Sequence, residues 1–378
     1  MATPPRKTKL YDSHAYLGGK MVDFHGFELP IWYSSIQEEH VWTRKSSGIF
    51  DVSHMGIFRF KGENVRTWLS SVSTQDFSKF SPGRCGYTHF LDYEGYIIDD
   101  MIFAICDESE VLGVPNSSMI ISMEGWLSSL LPDDGSISID DFSEETSIIA
   151  LQGPESINVI HDILGSENAL RSFSCQEIKQ NKLGISGWIQ GTGYTGEKGV
   201  EIFVDNDSVE ILWDVLTNDQ RVRPVGLGAR DTLRLEKGYL LSGQDFLWPT
   251  LGDSTYPFPP NFLARNIVET SVPFGLDLNH EFIGKEATIA ASKSGTRLRG
   301  MKCLDRGPSP RPGHRVLTGN DPNSDEIGFV TSGGPSPSMD MAGIAIGYLD
   351  GQFEGTEVWI ETSIRKRVRA SVSKLPFI

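Results

Sequence analysis

Residues 191–204 read GTGYTGEKGVEIFV and divide into a glycine-rich half and an apolar half. The spaced glycines predict a tight, bent loop, because glycine accepts positive φ and close approach of the backbone. The run at 200–204 is rich in β-branched and aromatic residues and predicts a strand. Since side chains alternate between the two faces of a strand, Glu201 should point away from the face that carries Val200 and Ile202.

A carboxylate at this place in a strand has two interpretations. Glu201 is either a solvated residue on the outer face of a half-buried strand or a buried acceptor aimed at a ligand. The pattern alone favours the solvated residue, because most half-buried strands carry their polar side chains on the outside.

The composition of the chain is that of a folded protein with more than one domain. It has 378 residues, of which 39% are hydrophobic and 22% charged, enough for two or three cores. A formal net charge of −16 disfavours binding to nucleic acid and to anionic membranes. The sequence has neither an apolar run of about 18 residues nor the apolar segment of a secretory signal. We therefore expect a cytoplasmic protein.

The four cysteines are Cys85, Cys106, Cys175 and Cys303. Their spacing is not that of a zinc site, and their separation along the chain predicts reduced, structural thiols. We expect neither a metal site nor a reactive cysteine.

Hydrophobic periodicity predicts helices and strands in the first part of the chain, and the sequence pattern changes after Gly275. Amphipathic spacing predicts helices at 34–46, 63–71, 209–216 and 226–237, and apolar runs predict strands at 85–91, 96–103 and 148–152. The segment 246–272 is rich in proline and aromatic residues and predicts an irregular, packed loop. Short, evenly spaced strands from Arg297 onward predict an all-β barrel or sandwich.

Several polar residues interrupt these patterns. Asp99 and Asp100 stand side by side in an apolar strand, where alternation places one of them inward. Asp51 and His54 suggest acid–base chemistry, although hydrogen bonds to backbone at a strand crossing are the more common reason for such residues. Arg230 lies near the start of a helix, where the dipole does not favour a cation. It therefore needs an acidic partner or a ligand, unless it lies on the surface.

Nine segments, in order along the chain, resemble the glycine cleavage system T-protein, the aminomethyltransferase family. They are LYDSHAYLGGKMVDFHGFELP, IFDVSHMG, YIIDDMI, ALQGPES, GTGYTGEKGVEI, GLGARDTLRLEKGY, EFIGKEA, VTSGGPSPS and KLPF. The resemblance extends from about Lys9 to the last residue. Each motif alone has little specificity, whereas all of them in register are highly specific.

The resemblance implies an α+β fold of three domains, a cloverleaf around a central folate-binding channel with mixed and antiparallel sheets. The implied domains are a discontinuous folate-binding domain at 1–50 and 145–245, a second α+β domain at 51–144, a connecting segment at 246–290 and a C-terminal β-barrel at 291–378.

The implied reaction transfers a one-carbon unit from the aminomethyl-lipoyl arm of the H-protein to tetrahydrofolate. It releases ammonia and forms 5,10-methylenetetrahydrofolate, so tetrahydrofolate is a co-substrate and the lipoylated H-protein is the partner of a monomer or weak dimer. The same fold serves folate-dependent demethylases and non-catalytic folate-binding iron–sulfur assembly factors. The cysteine typical of the assembly factors is missing from the corresponding segment, 237–244.

The resemblance also implies roles for individual residues. Asp100 matches the catalytic carboxylate near the reacting nitrogen, which makes Asp99 the outward residue of the pair. Glu201 matches the carboxylate that accepts hydrogen bonds from the pterin ring, so the resemblance reverses the preference for a solvated residue. The implied cofactor-binding residues are Glu201, Tyr194, Arg230, Met55, Tyr87 and Asn116. Arg311 is a weaker candidate.

H-proteins of this family are acidic, and docking on an acidic chain requires a local basic patch. The candidates are Arg297, Arg299, Arg306, Arg311 and the basic run at 365–367. Ordinary solvated strand charges explain these residues equally well.

Overall fold

The computed structural model describes residues 4–272, 274–291, 295–321 and 323–378. Within it, the chain forms two units. Unit 1 contains the described residues up to Ser70 together with Gln75–Thr88 and Met101–Asp231. Unit 2 contains Ser71–Thr74, His89–Asp100 and Thr232–Ile378.

β-Strands carry most of the regular structure. In chain order they are β1 Arg6–Lys7, β2 Lys20–Phe24, β3 Phe27–Trp32, β4 Ser47–Asp51, β5 Phe58–Lys61, β6 Cys85–Leu91, β7 Ile97–Ile105, β8 Glu110–Val114, β9 Ser138–Asp141, β10 Thr146–Gln152, β11 Cys175–Glu177, β12 Trp188–Gln190, β13 Gly199–Asp205, β14 Val222–Pro224, β15 Thr296–Cys303, β16 Arg315–Leu317, β17 Glu326–Ser336, β18 Ala342–Asp350, β19 Glu357–Ser363 and β20 Lys366–Ser373.

The α-helices are short and lie between these strands. They are α1 Tyr11–Tyr16, α2 Ile36–Lys45, α3 Val65–Val72, α4 Ile120–Ser128, α5 Ser156–Leu164, α6 Val209–Thr217, α7 Leu227–Lys237 and α8 Lys285–Ala291. The side chain of Ser35 caps α2 by accepting a hydrogen bond from the backbone N–H of Glu38. Gly238, with a φ of +71°, follows the last residue of α7. The four predicted helices agree with the structure to within about two residues at each end.

A six-stranded sheet of order β11-β12-β13-β10-β4-β14 organises unit 1. The register between β13 and its two neighbours places Ile202 beside Ile149 of β10 and Ile189 of β12. These three residues are fully buried in one apolar core, to which α6 contributes Trp213. The core therefore fills one face of the sheet, and the alternating residues of β13 are left for the other face.

A second sheet has the strand order β6-β7-β8-β5-β9, and a small one has the order β1-β3-β2. Phe58 and Phe60 of β5 and Phe103 of β7 are fully buried, with the rings of Phe60 and Phe103 centred 5.8 Å apart. The predicted strands at 85–91 and 96–103 correspond to β6 and β7.

Unit 2 contains a closed antiparallel barrel with the strand order β15-β18-β17-β16-β19-β20. This confirms the predicted α+β fold with a C-terminal β-barrel. Beside the barrel strand β17 lies a fully buried ion pair, in which Nη1 of Arg234 is 3.0 Å from Oδ2 of Asp245. Thr331 and Ser332 of β17 donate to the same carboxylate. Every oxygen of this buried charge is thus hydrogen-bonded, the condition under which a buried ion pair is tolerated.

The segment 246–272 contains only two short 3₁₀ helices, Pro249–Leu251 and Ile267–Glu269. The predicted irregular, packed character is therefore confirmed. The rings of Phe258 and Phe262 stack at 5.2 Å, and both meet Phe329 of β17 edge-on. The guanidinium of Arg265 lies 4.2 Å from the ring of Phe262 and 4.0 Å from that of Tyr348. Aromatic contacts with the barrel replace regular backbone pairing in this segment.

The helices of the described residues include none that is long and apolar enough to cross a membrane.

Replacing Asp245 with Asn removes one charge of the buried pair and leaves Arg234 without its counter-ion. Loss of one partner of a buried ion pair costs about 3–5 kcal/mol, so we expect the free energy of unfolding to fall by roughly that amount. Asp305→Asn is the matched control, because the pair of Asp305 with Arg369 is about half exposed and such pairs contribute only about 0–1 kcal/mol. Urea denaturation followed by tryptophan fluorescence measures both changes. Equal, small effects would contradict a structural role for Arg234–Asp245.

Candidate active site

Glu201 lies on the face of the six-stranded sheet that is opposite the apolar core. The register pairs it with Gln190 on β12 and with Ala150 on β10. Gln190 in turn pairs with Cys175 on β11, and Ala150 pairs with Phe50 on β4. Gln190 is 1% exposed and Ala150 is fully buried, so other parts of the chain cover this face. Glu201 therefore does not lie on an open, solvated face, although its own side chain is partly exposed.

Among the described residues, hydrogen-bond donors reach only one of the two carboxylate oxygens of Glu201. Oε2 accepts hydrogen bonds from the hydroxyl of Thr192 and, at 3.4 Å, from Nε2 of Gln190. No described residue donates to Oε1. A carboxylate oxygen has two lone pairs, so Glu201 retains the capacity to bind N–H donors of a ligand.

Arg230 and Tyr194 lie close to this carboxylate. The guanidinium of Arg230 is 4.9 Å from the centre of the Tyr194 ring, a cation–π contact. Burial lowers the pKa of Arg230, while the negative charge of Glu201 acts in the opposite direction. An arginine stays charged despite such a shift. The structure therefore brings together Glu201, Arg230 and Tyr194, three of the predicted binding residues.

The buried Nη1 of Arg230 has no hydrogen-bond partner among the described residues. Arg230 lies near the start of α7, where a cation needs an acidic neighbour, and Glu201 is that neighbour. Glu201 does not, however, satisfy every donor of the guanidinium. Glu39 of α2 fixes this end of α7, because its carboxylate accepts a hydrogen bond of 2.8 Å from the N–H of Gly226. Arg230 is consequently held in place with a donor still available to a ligand.

Asp51 and His54 do not form an acid–base pair. Asp51 accepts hydrogen bonds from His14 at 2.9 Å, from Thr8 at 2.7 Å and from the backbone N–H of Ser53 at 2.9 Å. Burial alone would raise the pKa of Asp51, but these hydrogen bonds lower it. Burial and the charge of Arg230 lower the pKa of His54 to about 3. His54 is therefore neutral at ordinary pH, and Asp51 belongs to a buried network, as the structural interpretation of these residues requires.

The two adjacent aspartates of β7 lie on opposite faces, as alternation predicts. Asp99 is fully buried and accepts a hydrogen bond of 2.7 Å from the hydroxyl of Ser242. Asp100 is partly exposed. The expectation that Asp99 is the outward residue is therefore wrong, because its carboxylate is buried inside unit 2 with a hydrogen-bond partner. Asp100 is the aspartate that has access to solvent and solutes.

The remaining predicted residues lie at partly exposed positions. Met55 follows β4, Asn116 precedes the short helix at Ser117–Met119, and Tyr87 lies in β6 two residues after Cys85. Residues two apart in a strand share a face, and the charge of Glu201 acts on Cys85. Tyr87 therefore lies on the same face of β6 as Cys85. Arg311 is exposed and donates to the carbonyl of Gly333 at 3.1 Å, a contact within unit 2.

Three cysteines that are far apart in sequence meet in unit 1. Cys85 and Cys175 are buried in one apolar cluster, and Cys106 packs against it. A hydrogen bond with Cys175, burial and the charge of Glu201 hold the pKa of Cys85 well above its usual range. Burial also raises the pKa of Cys106. Since the thiolate is the reactive form, these raised pKa values disfavour reactions of Cys85 and Cys106.

Sequence reasoning missed Gln152, Gln190 and Thr192, the polar residues that surround Glu201 and its loop. Gln152 and Gln190 each end a strand, and Thr192 lies among glycines. Their proximity to Glu201 depends on the pairing of β10, β12 and β13, which the local pattern does not specify.

Comparisons with known proteins agree with this architecture along the chain. The model of the GCVT N-terminal domain matches residues 10–249, and that of the glycine cleavage T-protein C-terminal barrel domain matches residues 296–378. The segment that packs aromatic side chains on the barrel therefore lies largely between the two matches.

Relatives that match over nearly their full length are named aminomethyltransferases. The chain is 33% identical to the probable aminomethyltransferase of Natronomonas pharaonis, with 100% of this chain and 99% of the relative covered. It is 33% identical to the aminomethyltransferase of Thermotoga maritima, over 98% of this chain and 97% of the relative. The crystal structure of the glycine cleavage system aminomethyltransferase T from Bartonella henselae matches with a TM-score of 0.85 and 29% identity. That match covers 99% of this chain and 98% of the other.

These matches confirm the predicted family and make the chain an enzyme of the transferase class. The chain belongs to the glycine cleavage T-protein family, the aminomethyltransferases.

Proposed function

We propose that the enzyme transfers the one-carbon unit of an aminomethyl-lipoyl arm on the H-protein to tetrahydrofolate. The observation that carries this proposal is the open oxygen of Glu201 on a covered sheet face, beside Arg230 and Tyr194. A reduced pterin presents adjacent N–H donors on its aminopyrimidinone edge, and an ionised carboxylate accepts two such donors in parallel. The ring of Tyr194 supplies a flat apolar surface, and Arg230 supplies a donor for an oxygen of the ligand.

In the reaction, one carbon atom exchanges two bonds for two others. The methylene carbon leaves the lipoyl sulfur and the amino nitrogen, and it becomes bonded to N5 and N10 of the folate. Of the two protons lost from N5 and N10, one reaches the sulfur to give the thiol, and the other joins the departing amino group to give ammonia. No change of oxidation state and no second co-substrate is required.

In this proposal Asp100 stabilises the transition state. Positive charge develops on the methylene carbon and its nitrogen as ammonia departs, and a fixed carboxylate nearby lowers the energy of that charge. The partial exposure of Asp100 supports this role, because a group that meets a substrate must be accessible to it.

The direct test is ammonia release from aminomethylated H-protein in the presence of tetrahydrofolate. We expect ammonia and 5,10-methylenetetrahydrofolate in equal amounts, with no ammonia when folate is omitted. Transfer of a methyl group from a sulfonium donor without ammonia release would instead identify a folate-dependent demethylase.

Replacing Glu201 with Gln should weaken binding of tetrahydrofolate. The change removes the charge and exchanges one acceptor oxygen for a donor, and a hydrogen bond to a charged group contributes about 1.5–3 kcal/mol. We expect the dissociation constant from calorimetry to rise about 10- to 150-fold. Glu197→Gln is the matched control, because Glu197 lies in the same loop but pairs with Arg44 at 2.8 Å. An unchanged affinity in Glu201→Gln would remove the proposed pterin site.

Asp100→Asn should lower turnover by about 10²–10³-fold with folate affinity changed much less, because the charge it stabilises develops only during transfer. Asp99→Asn is the control in the adjacent position. Its carboxylate is buried with Ser242, so we expect a loss of thermal stability with turnover affected less than in Asp100→Asn. Single-turnover kinetics together with calorimetry separate the two effects. The reverse result would transfer the catalytic role to Asp99.

The basic candidates for H-protein docking differ in their availability. Arg367 is engaged with Glu361 at 2.7 Å and is 11% exposed, whereas Arg306, Arg365 and Lys366 are exposed. We infer that these three exposed residues contribute the local positive charge that an acidic partner requires.

The double variant Arg365→Glu/Lys366→Glu should weaken binding of the H-protein, most strongly at low salt. The control, Lys179→Glu/Lys182→Glu, makes the same charge change at exposed positions of unit 1. Surface plasmon resonance at two ionic strengths measures both variants. If both weaken binding equally, only the overall charge matters and no docking patch exists at 365–366.

A further inference from the structure

The side chain of Gln152, the last residue of β10, inserts into the glycine-rich loop. It is 1% exposed, and its Nε2 donates to the carbonyls of Thr192 at 3.0 Å and Val200 at 3.3 Å. Its Oε1 accepts a hydrogen bond of 3.0 Å from the hydroxyl of Thr195. A Cβ atom on Gly193 would lie 1.9 Å from this Oε1, so only glycine leaves room for the side chain.

Arg44 of α2 holds the same loop from a second side. Its Nη1 donates to the carbonyl of Thr195 at 2.6 Å and to Oε1 of Glu197 at 2.8 Å. A loop with hydrogen bonds to two separate elements loses much of the freedom that its glycines would otherwise give it.

Thr192 is the residue through which this loop reaches Glu201. It is 6% exposed, and its hydroxyl donates to Oε2 of Glu201. Gln190 donates to the same oxygen at 3.4 Å, while no described residue donates to Oε1. The terminal torsion of a glutamate is broad and weakly restricted. Two donors on one oxygen therefore select the orientation that presents Oε1 to a ligand.

We propose that Thr192, held in place by Gln152, is a positioning residue that fixes the orientation of the Glu201 carboxylate for the N–H donors of the pterin. This inference rests on the proposed folate site. Thr192 does not touch the reacting atoms. It lowers the entropy that Glu201 must lose when the ligand binds, and this is how preorganisation increases affinity.

The test compares two substitutions of Thr192. Thr192→Val has the same shape but lacks the hydroxyl, so we expect the dissociation constant of tetrahydrofolate from calorimetry to rise about tenfold, the effect of one hydrogen bond to a charged group. Thr192→Ser keeps the hydroxyl and should restore affinity to within about threefold of the wild type. If the Val variant does not fold, Thr192→Ala provides a second side chain without the hydroxyl.

Glu197→Gln is the structural control, since Glu197 holds the same loop through Arg44 and not through Gln152. A double-mutant cycle with Glu201→Gln distinguishes positioning from loop stability. We expect the effect of Thr192→Val on folate affinity to disappear in the Glu201→Gln background, and any effect of Glu197→Gln to be the same in both backgrounds.

Equal effects of Thr192→Val in both backgrounds, or no rescue by Ser, would overturn the positioning role while leaving the folate site intact. An unchanged folate affinity in Glu201→Gln itself would instead overturn the folate site on which the inference rests.

Discussion

Unit 1 depends on the alternation of side chains between the two faces of strand β13. Val200 and Ile202 belong to the apolar core, so the residue between them must point to the opposite face. Cross-strand pairing then places Glu201 between Ala150 and Gln190. A shift of one residue in the register would bury the carboxylate in the core and expose Ile202, and burial of an unpaired charge is among the most costly changes a fold can undergo. The stability of the core and the direction of Glu201 are thus set by the same pairing.

The charges on this face of the sheet support the ligand site that we propose there. Glu201 and Arg230 are opposite charges that act on one another without a direct hydrogen bond between them, and each retains polar atoms without a protein partner among the described residues. By contrast, the fully buried pair Arg234–Asp245 in unit 2 has each of its carboxylate oxygens occupied by donors. The pair in unit 2 is thus fully hydrogen-bonded, whereas the pair in unit 1 retains hydrogen-bonding capacity for the ligand that we propose.

Local sequence patterns were sufficient for four helices, several strands and the direction of Glu201. Helices α2, α6 and α7 follow from amphipathic spacing and from end signals such as Gly238, and the strand of Glu201 follows from period-two alternation. The same rule separated Asp99 from Asp100 but did not reveal which of them is buried, since that depends on Ser242, far away in the chain. The meeting of Cys85 with Cys175, and of Thr192 with Glu201, likewise depends on long-range pairing that no local pattern encodes.

The central claim is that the open oxygen of Glu201 receives the pterin. A crystal structure of the enzyme with a bound reduced folate tests it most directly. We expect N–H donors of the pterin about 2.7–3.2 Å from Glu201, including a contact to Oε1, with the ring beside Tyr194 and the hydroxyl of Thr192 still on Oε2. A pterin bound elsewhere, with Glu201 contacting only Thr192 and Gln190, would contradict it.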